Sequence, residues 1–508
     1  MHFINNKKRN IANLSIAIAA LLFIIVGLYF VVRNQLDSDM ASDMILGKLL
    51  STSDELILSN NWVYSTEIRI LSIQVLFSIF FHFTNNWFVV RFLTIIVLLF
   101  ILCVLIYKIC KQLKIVDYGL TIAITLLPIS YCQLRFEYIN LLYIVYFIYM
   151  LVIINLFLVY YYTNKTIYLL LSFLFSTIFC LEGSRFLLII YFPIIVSSFF
   201  VCLVNKKVFK NILLFISTSF AGAIIGYFIN KYYLLNIYIV PGNINIEFSI
   251  DFAKSIVFLK GYLCNFGYSH TYFSTFFSIF SIVLLWFCIT KVLIRNRHNV
   301  LLIFFVIFYL TCIIGLFICF VFTNVPFEER YIMTINSFSF ILIAYCVSIF
   351  ENERNDIILP VLFIGCMICS MFIFMDAKSN NKTQELDYIA TNLVEKGYYN
   401  GYSFFWTSNI LTELSNGKIE VWDWGESSST ELKSDFKNID EMYWWLQKLD
   451  HMKNTPKGKI FVLLQRHELE KFLDLTWNFT SDDVLFETEQ CVVYGFESYN
   501  DLKNKVGY

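Results

Sequence analysis

Apolar runs long enough to cross a bilayer recur along the chain, at residues 11–32, 88–109, 117–134, 138–161, 166–181, 185–204, 211–229, 272–292, 299–323, 331–350 and 356–375. They predict about eleven transmembrane helices. The run at 67–83 is different, because Arg69 and Gln74 interrupt it and His82, Thr84, Asn85 and Asn86 end it. We read it as a helix lying in the membrane interface, within an exterior loop over 33–87. Past Asp376 the pattern changes to alternating short elements. QELDYIATNLVEK, TSNILTELSNGK, DEMYWWLQKL and RHELEKFL read as helices, the second stopped by Gly417. YSFFW, IEVWDW and KIFVLLQ read as strands and VLFETEQCVVYGF as a hairpin. The expected architecture is a polytopic α-helical membrane domain over 1–376, followed by a soluble, exterior α/β domain over 377–508.

Composition supports the membrane reading. Of 508 residues, 58% are hydrophobic and 15% charged, with a mean hydropathy of +0.67, values that exclude an ordinary soluble globular chain. The formal net charge is zero, and no basic block interleaved with aromatics points to nucleic acid. The opening MHFINNKKRN and its apolar run read as a retained anchor, since no small-residue cleavage site follows. Nearly all of the thirteen cysteines sit in apolar runs, where they act as small hydrophobes. Cys366 and Cys369 form a CxxC inside a span with no neighbouring His, so no metal or redox site is expected there.

Charge then orients the chain. With the amino terminus in the cytoplasm, the cytoplasmic loops hold Lys7, Lys8 and Arg9, then Lys108, Lys111 and Lys114, then Lys206, Lys207 and Lys210, then Lys291, Arg295 and Arg297. This is the positive-inside pattern, and it places the carboxy-terminal domain outside the cytoplasm. The opposite side receives mixed charge at helix rims: Asp37 and Asp39, Arg135 and Glu137, Glu182 and Arg185, then Glu328, Glu329 and Arg330. A loop at about 230–271, rich in Tyr and Asn with Pro241-Gly242, faces the same way, and His270 reads as a loop residue without a partner. Ionisable groups this close to a membrane are costly unless they have a task. Carboxylates can take the proton of an attacking hydroxyl, and guanidinium groups can hold a leaving phosphate. The bland alternatives are helix capping for the acids, which we prefer for Asp43, and snorkelling or pairing with Glu182 and Glu329 for Arg185 and Arg330. Trp406, Trp422, Trp424, Trp444 and Trp445 offer faces for sugar rings, with core packing the alternative for most.

Taken together, these features resemble the GT-C glycosyltransferases, the polyprenyl-phosphate-sugar-dependent enzymes that include protein mannosyltransferases and bacterial lipid A aminoarabinose transferases. The resemblance rests on the Asp37-Ser38-Asp39 pair after the first span, interfacial helices in that loop, eleven or more spans and an exterior carboxy-terminal domain. FEERY at 327–331 is similar to the RY-containing motif at the start of a late span in bacterial members. The resemblance implies an integral membrane enzyme of the cell envelope, at the bacterial plasma membrane. It would move a sugar with inversion from a polyprenyl-phosphate donor to an exterior glycan, lipid or protein. It makes Asp37 or Asp39 the base and Arg330 a phosphate contact; Arg185, Glu182, Glu329 and Glu137 join on rim position alone. Most such enzymes with a monophosphate donor need no metal, although Asp37 with Asp39 has the oxygen ligands for Mg²⁺ or Mn²⁺. Two rivals stand beside this reading. An O-antigen-ligase-like or polymerase-like enzyme concentrates Arg and His in a large middle loop, where 230–271 offers Lys231, Lys254, Lys260 and His270. A transporter or export component carries midplane charges and broken helices, and mid-span charges are scarce here.

Overall fold

The computed structural model describes residues 2–66, 68–204, 209–241, 246–267, 271–295, 298–350, 357–424, 445–472 and 478–506. Lys206, Lys207, Arg297, Gly242, His270 and the first half of DEMYWWLQKL, Trp444 included, lie outside the described residues. The chain forms two compact units: one comprises 1–30, 95–233 and 244–379, the other 31–94, 234–243 and 380–508.

The first unit is helical. Every apolar run expected to span is helix, but not every one is a full crossing. Among the described residues seven helices have the length and apolarity to cross a membrane. Three more, Thr166–Cys180, Leu187–Leu203 and Met333–Ile349, are apolar but shorter. The run at 117–134 corrects the expectation of a straight span: Tyr118–Leu126 and Tyr131–Ile139 meet at 86°. Pro128 supplies the break, since it lacks an amide proton and disfavours helix in the residue before it. The polar groups freed at the bend are met locally. Gln133 Oε1 accepts from the Ile129 amide at 3.1 Å, and Ser130 Oγ caps the next turn through the Gln133 amide at 3.0 Å. Elsewhere Gly222 and Gly226, one helical turn apart, let the Phe209–Ile229 helix approach Thr166–Cys180 so closely that an added Cβ would collide with the carbonyls of Phe173 and Thr177. Small residues at this spacing allow such contact between membrane helices.

The second unit combines the loop after the first helix with the carboxy-terminal segment. Helix Ile73–Phe81 has nine residues, about 14 Å at 1.5 Å per residue, half of what a crossing needs. Helix Ser38–Thr52 packs on it and on Phe405–Leu414. The two-residue strand β1 (Trp62–Val63) pairs antiparallel with β4 (Gln447–Lys448), which corrects the helix expected through Gln447 and Lys448. The Tyr64 amide bonds the Ile239 carbonyl at 2.9 Å, which ties in the 234–243 segment. A five-stranded sheet has the order β3 (Glu420–Asp423), β2 (Asn400–Ser403), β5 (Ile460–Gln465), β7 (Cys491–Phe496), β6 (Val484–Glu487). The first three strands are parallel and the predicted hairpin, β6–β7, adds antiparallel. Tyr402, Phe404, Trp424, Ile460, Val462 and Leu464 build its core with Phe496, Leu502 and Val506. Trp424 is thus a core residue, stacked 4.8 Å from Tyr402. The helix before β3 ends as expected, with Asn416 and Gly417 both at positive φ.

Candidate functional site

Asp37 and Asp39 open the Ser38–Thr52 helix in the second unit. Asp37 is its N-cap: the backbone is extended (φ −132°, ψ 173°) and the side chain accepts from the Met40 amide at 2.9 Å. Asp39 follows in the first turn, where the helix dipole favours a negative charge. Both side chains are half-buried. The acid expected to act only as a cap, Asp43, has another task. It is buried and bonds Arg69 Nη1 at 3.1 and 3.3 Å. Burial holds its carboxyl above the ordinary value of 3.8, against the opposing pull of Arg69. The Arg69 that interrupted the apolar pattern is therefore the partner of an acid on a neighbouring helix.

The rim charges of the first unit converge on aromatic rings. The Arg135 guanidinium lies 5.1 Å from the Phe136 ring centre, and Arg330 lies 5.6 Å from the same ring. Arg330 is also 5.8 Å from Tyr331, which Arg185 approaches at 5.5 Å. Arg185 then reaches Tyr146 at 5.4 Å. Three guanidiniums from distant stretches of sequence are thus linked through shared ring faces. Such faces hold the planar groups by cation–π attraction, and Arg185 Nη1 also reaches the Tyr146 hydroxyl at 3.5 Å. Their supports are irregular. Arg135 and Phe136 sit on a π-helical turn, Leu134–Ile139, and Leu141, two residues beyond it, is a non-glycine at φ 66°.

The acids of this unit play different parts. Glu137 is buried, accepting from Ser337 Oγ at 2.6 Å and Gln133 Nε2 at 2.9 Å. It clasps the π-helical turn to the Met333–Ile349 helix. Glu182 is buried and accepts from the Tyr149 hydroxyl at 3.2 Å. Glu329 stands exposed on the turn before Met333, its carbonyl accepting from Asn265 Nδ2 at 2.8 Å. The structure therefore brings Arg185 and Arg330 together and adds Arg135, while Glu137 and Glu182 serve as buried acceptors beside them. One signal for this grouping is present in the sequence: each arginine is followed directly by an aromatic, as Arg135-Phe136, Arg185-Phe186 and Arg330-Tyr331. Among the described residues no group of three His, Cys, Asp or Glu side chains converges as a metal site would require.

No family model matches the sequence, and no curated protein matches it. The fold does have a solved counterpart. The crystal structure of ArnT from Cupriavidus metallidurans in the apo state superposes with a TM-score of 0.59, covering 94% of this chain and 97% of that one. The fold is ArnT-like. It is a polytopic helical membrane fold with a carboxy-terminal sheet, as the apolar runs and the strand-like stretches after Asp376 implied. At 9% identity the likeness to ArnT is one of fold, and the chemistry is argued from this chain's own residues.

Proposed function

We propose that the chain is a GT-C-type membrane glycosyltransferase that moves a sugar from a polyprenyl-phosphate-linked donor to a hydroxyl of an exterior glycan, lipid or protein. The observation that carries the reading is the linkage of Arg135, Arg185 and Arg330 through Phe136, Tyr331 and Tyr146, within an ArnT-like fold. In the reaction the acceptor oxygen forms a bond to the anomeric carbon and its proton passes to Asp37 or Asp39. The bond from that carbon to the phosphate oxygen breaks, its electrons leave with the polyprenyl phosphate, and the configuration inverts. Charge grows on the phosphate as the bond breaks, and the guanidinium groups offset it. Substituting Arg330→Gln is expected to lower transfer from a labelled polyprenyl-phosphate sugar by about 10²–10³-fold, the usual cost of removing one such donor. Arg330→Lys should restore only part of it, because an ammonium lacks the planar fork. Unchanged transfer in both variants would remove the phosphate assignment.

The same reading puts the amino terminus in the cytoplasm and the carboxy-terminal segment outside. Its support is charge: Arg9 pairs with Asp117 through two nitrogens at 2.9–3.1 Å, which brings the start of the first helix beside the end of the Lys108–Lys114 basic segment, as one common side requires. An alkaline phosphatase reporter fused after Asp376 is expected to be active, and a cytoplasm-dependent fluorescent reporter at the same place dark. The reverse pair of results would invert the topology.

A further inference from the structure

The second unit contains a cavity of about 290 Å³ that the proposed transfer reaction does not use. Its walls come from the far half of the Ser38–Thr52 helix, the end of Phe405–Leu414, and the β3 and β4 strands with the turn that follows. Lys48 is ten residues beyond Ser38, about 15 Å along the helix, so the cavity is separate from the acidic start of that helix. Three features of the walls describe an occupant.

The first is charge. Lys48 and Lys448 both line the cavity, with Glu420 the one carboxylate among the lining residues. Lys448 Nζ bonds Glu420 Oε1 at 2.6 Å, and His451 Nε2 shares the same oxygen at 2.9 Å. Burial would raise the Glu420 carboxyl, but the bonds from His451 and Lys448 bring it down to about 2, so it stays ionised. Lys48 Nζ contacts the neutral Asn85 Oδ1 at 2.9 Å and lies 5.1 Å from the Phe81 ring centre. The walls therefore carry one positive charge in excess. The second feature is an unmet hydrogen bond. The His451 side chain is 8% exposed and stacks 4.3 Å from Trp422, yet its Nδ1 is buried with no hydrogen-bond partner among the described residues. With Nε2 donating to Glu420, Nδ1 is an acceptor awaiting a donor, and buried polar atoms of this kind are normally satisfied. The third is the remainder of the lining: uncharged Asn409, Thr412 and Gln447 beside apolar Ile45 and Val421. Amides and a hydroxyl suit ligand hydroxyls, and aliphatic side chains suit the C–H face of a ring.

We propose that this cavity binds one hexose-sized sugar carrying a single negative charge, a hexuronate or a hexose phosphate. A cavity of this volume has room for a sugar ring. Glu420 and Lys448 keep 39% and 32% of their side chains exposed, so the cavity is reached from solvent.

Isothermal titration of the full-length protein in detergent tests this with four probes: sodium glucuronate, glucose 6-phosphate, glucose and inorganic phosphate. At least one of the anionic sugars is expected to saturate with a Kd on the order of 1 mM or tighter, with glucose and inorganic phosphate each about tenfold weaker or worse. Lys48→Gln and Lys448→Gln should each weaken that anionic sugar about tenfold, the scale of one charge-assisted hydrogen bond, while Lys48→Arg keeps most of the affinity. Lys448 is partly exposed, so its variant stays informative if Lys48→Gln unfolds the helix. The proposal is overturned if neither anionic sugar saturates, if glucose or phosphate alone binds as tightly, or if Lys448→Gln leaves the affinity unchanged. None of these outcomes depends on whether the chain transfers sugar.

Discussion

Asparagine in place of the proposed base, Asp37 or Asp39, is expected to lower sugar transfer about 10²–10⁴-fold, the usual contribution of a positioned general base. The substitution is informative because of where the acids stand. Asp37 caps its helix through the Met40 amide, and asparagine is as good an N-cap as aspartate. Asp37→Asn thus removes the basic carboxylate and keeps the cap. Asp37→Ala would remove both and add about 1 kcal/mol of helix destabilisation, so a comparison of the two separates chemistry from structure. Asp39→Asn changes charge with little change in size, in a first turn where the dipole favours the ionised form. The measurement is the rate of transfer from labelled donor in proteoliposomes, read beside thermal unfolding of the same preparations. Full activity in both single variants and the double variant would end the catalytic assignment.

A second large effect is expected on stability, at Arg91. This guanidinium is 1% exposed and grips both oxygens of Glu413 at 2.7 Å from Nε and Nη2. It also donates to the Met40 carbonyl at 2.8 Å and lies 5.4 Å from the Phe77 ring centre. One side chain therefore joins four helices: its own span, Trp87–Gln112, two from the loop before it and one from the carboxy-terminal segment. Arg91→Ala leaves a buried carboxylate without its partner, which costs about 3–5 kcal/mol. Arg91→Met with Glu413→Leu removes both charges and should recover most of that loss, since an apolar pair of similar volume is often as stable as a buried ion pair. Thermal unfolding of the three proteins decides it. A single variant as stable as the parent would show that the pair carries none of the packing assigned to it.

Much of the fold was legible because its signals are local. Each apolar run announced helix, and the hairpin at 484–496 and the strand at 459–465 followed from short runs rich in aliphatic and aromatic residues. Pro128 was in plain view too, yet the apolar residues on both sides of it read as one continuous span; the bend depends on Ser130 and Gln133 satisfying the freed backbone, which no hydropathy window registers. The role of Arg91, which falls inside the apolar run at 88–109, is invisible to such windows because its partner Glu413 lies more than 300 residues away. The same distance hid the pairing of Trp62–Val63 with Gln447–Lys448 and the ion pair of Arg33 with Asp387 at 2.5 Å. Of the candidate site, the arginines were visible as rim charges but their gathering on Phe136 and Tyr331 was not. Sequence position says nothing of which rims meet, and the aromatic neighbour of each arginine gained meaning only once the rings were seen to be shared.

The way the second unit is assembled also constrains how it can be made. Residues 31–94 leave the ribosome early, whereas Asp387, Glu413 and Gln447, which complete their ion pairs and strand, are translated some three hundred residues later. Contacts this distant in sequence form slowly, after the entropy of closing a long loop has been met. For most of synthesis the loop must therefore wait as an unfinished half-domain, without the Glu413 that Arg91 grips, and folding of this unit is completed only after its carboxy-terminal part has been made.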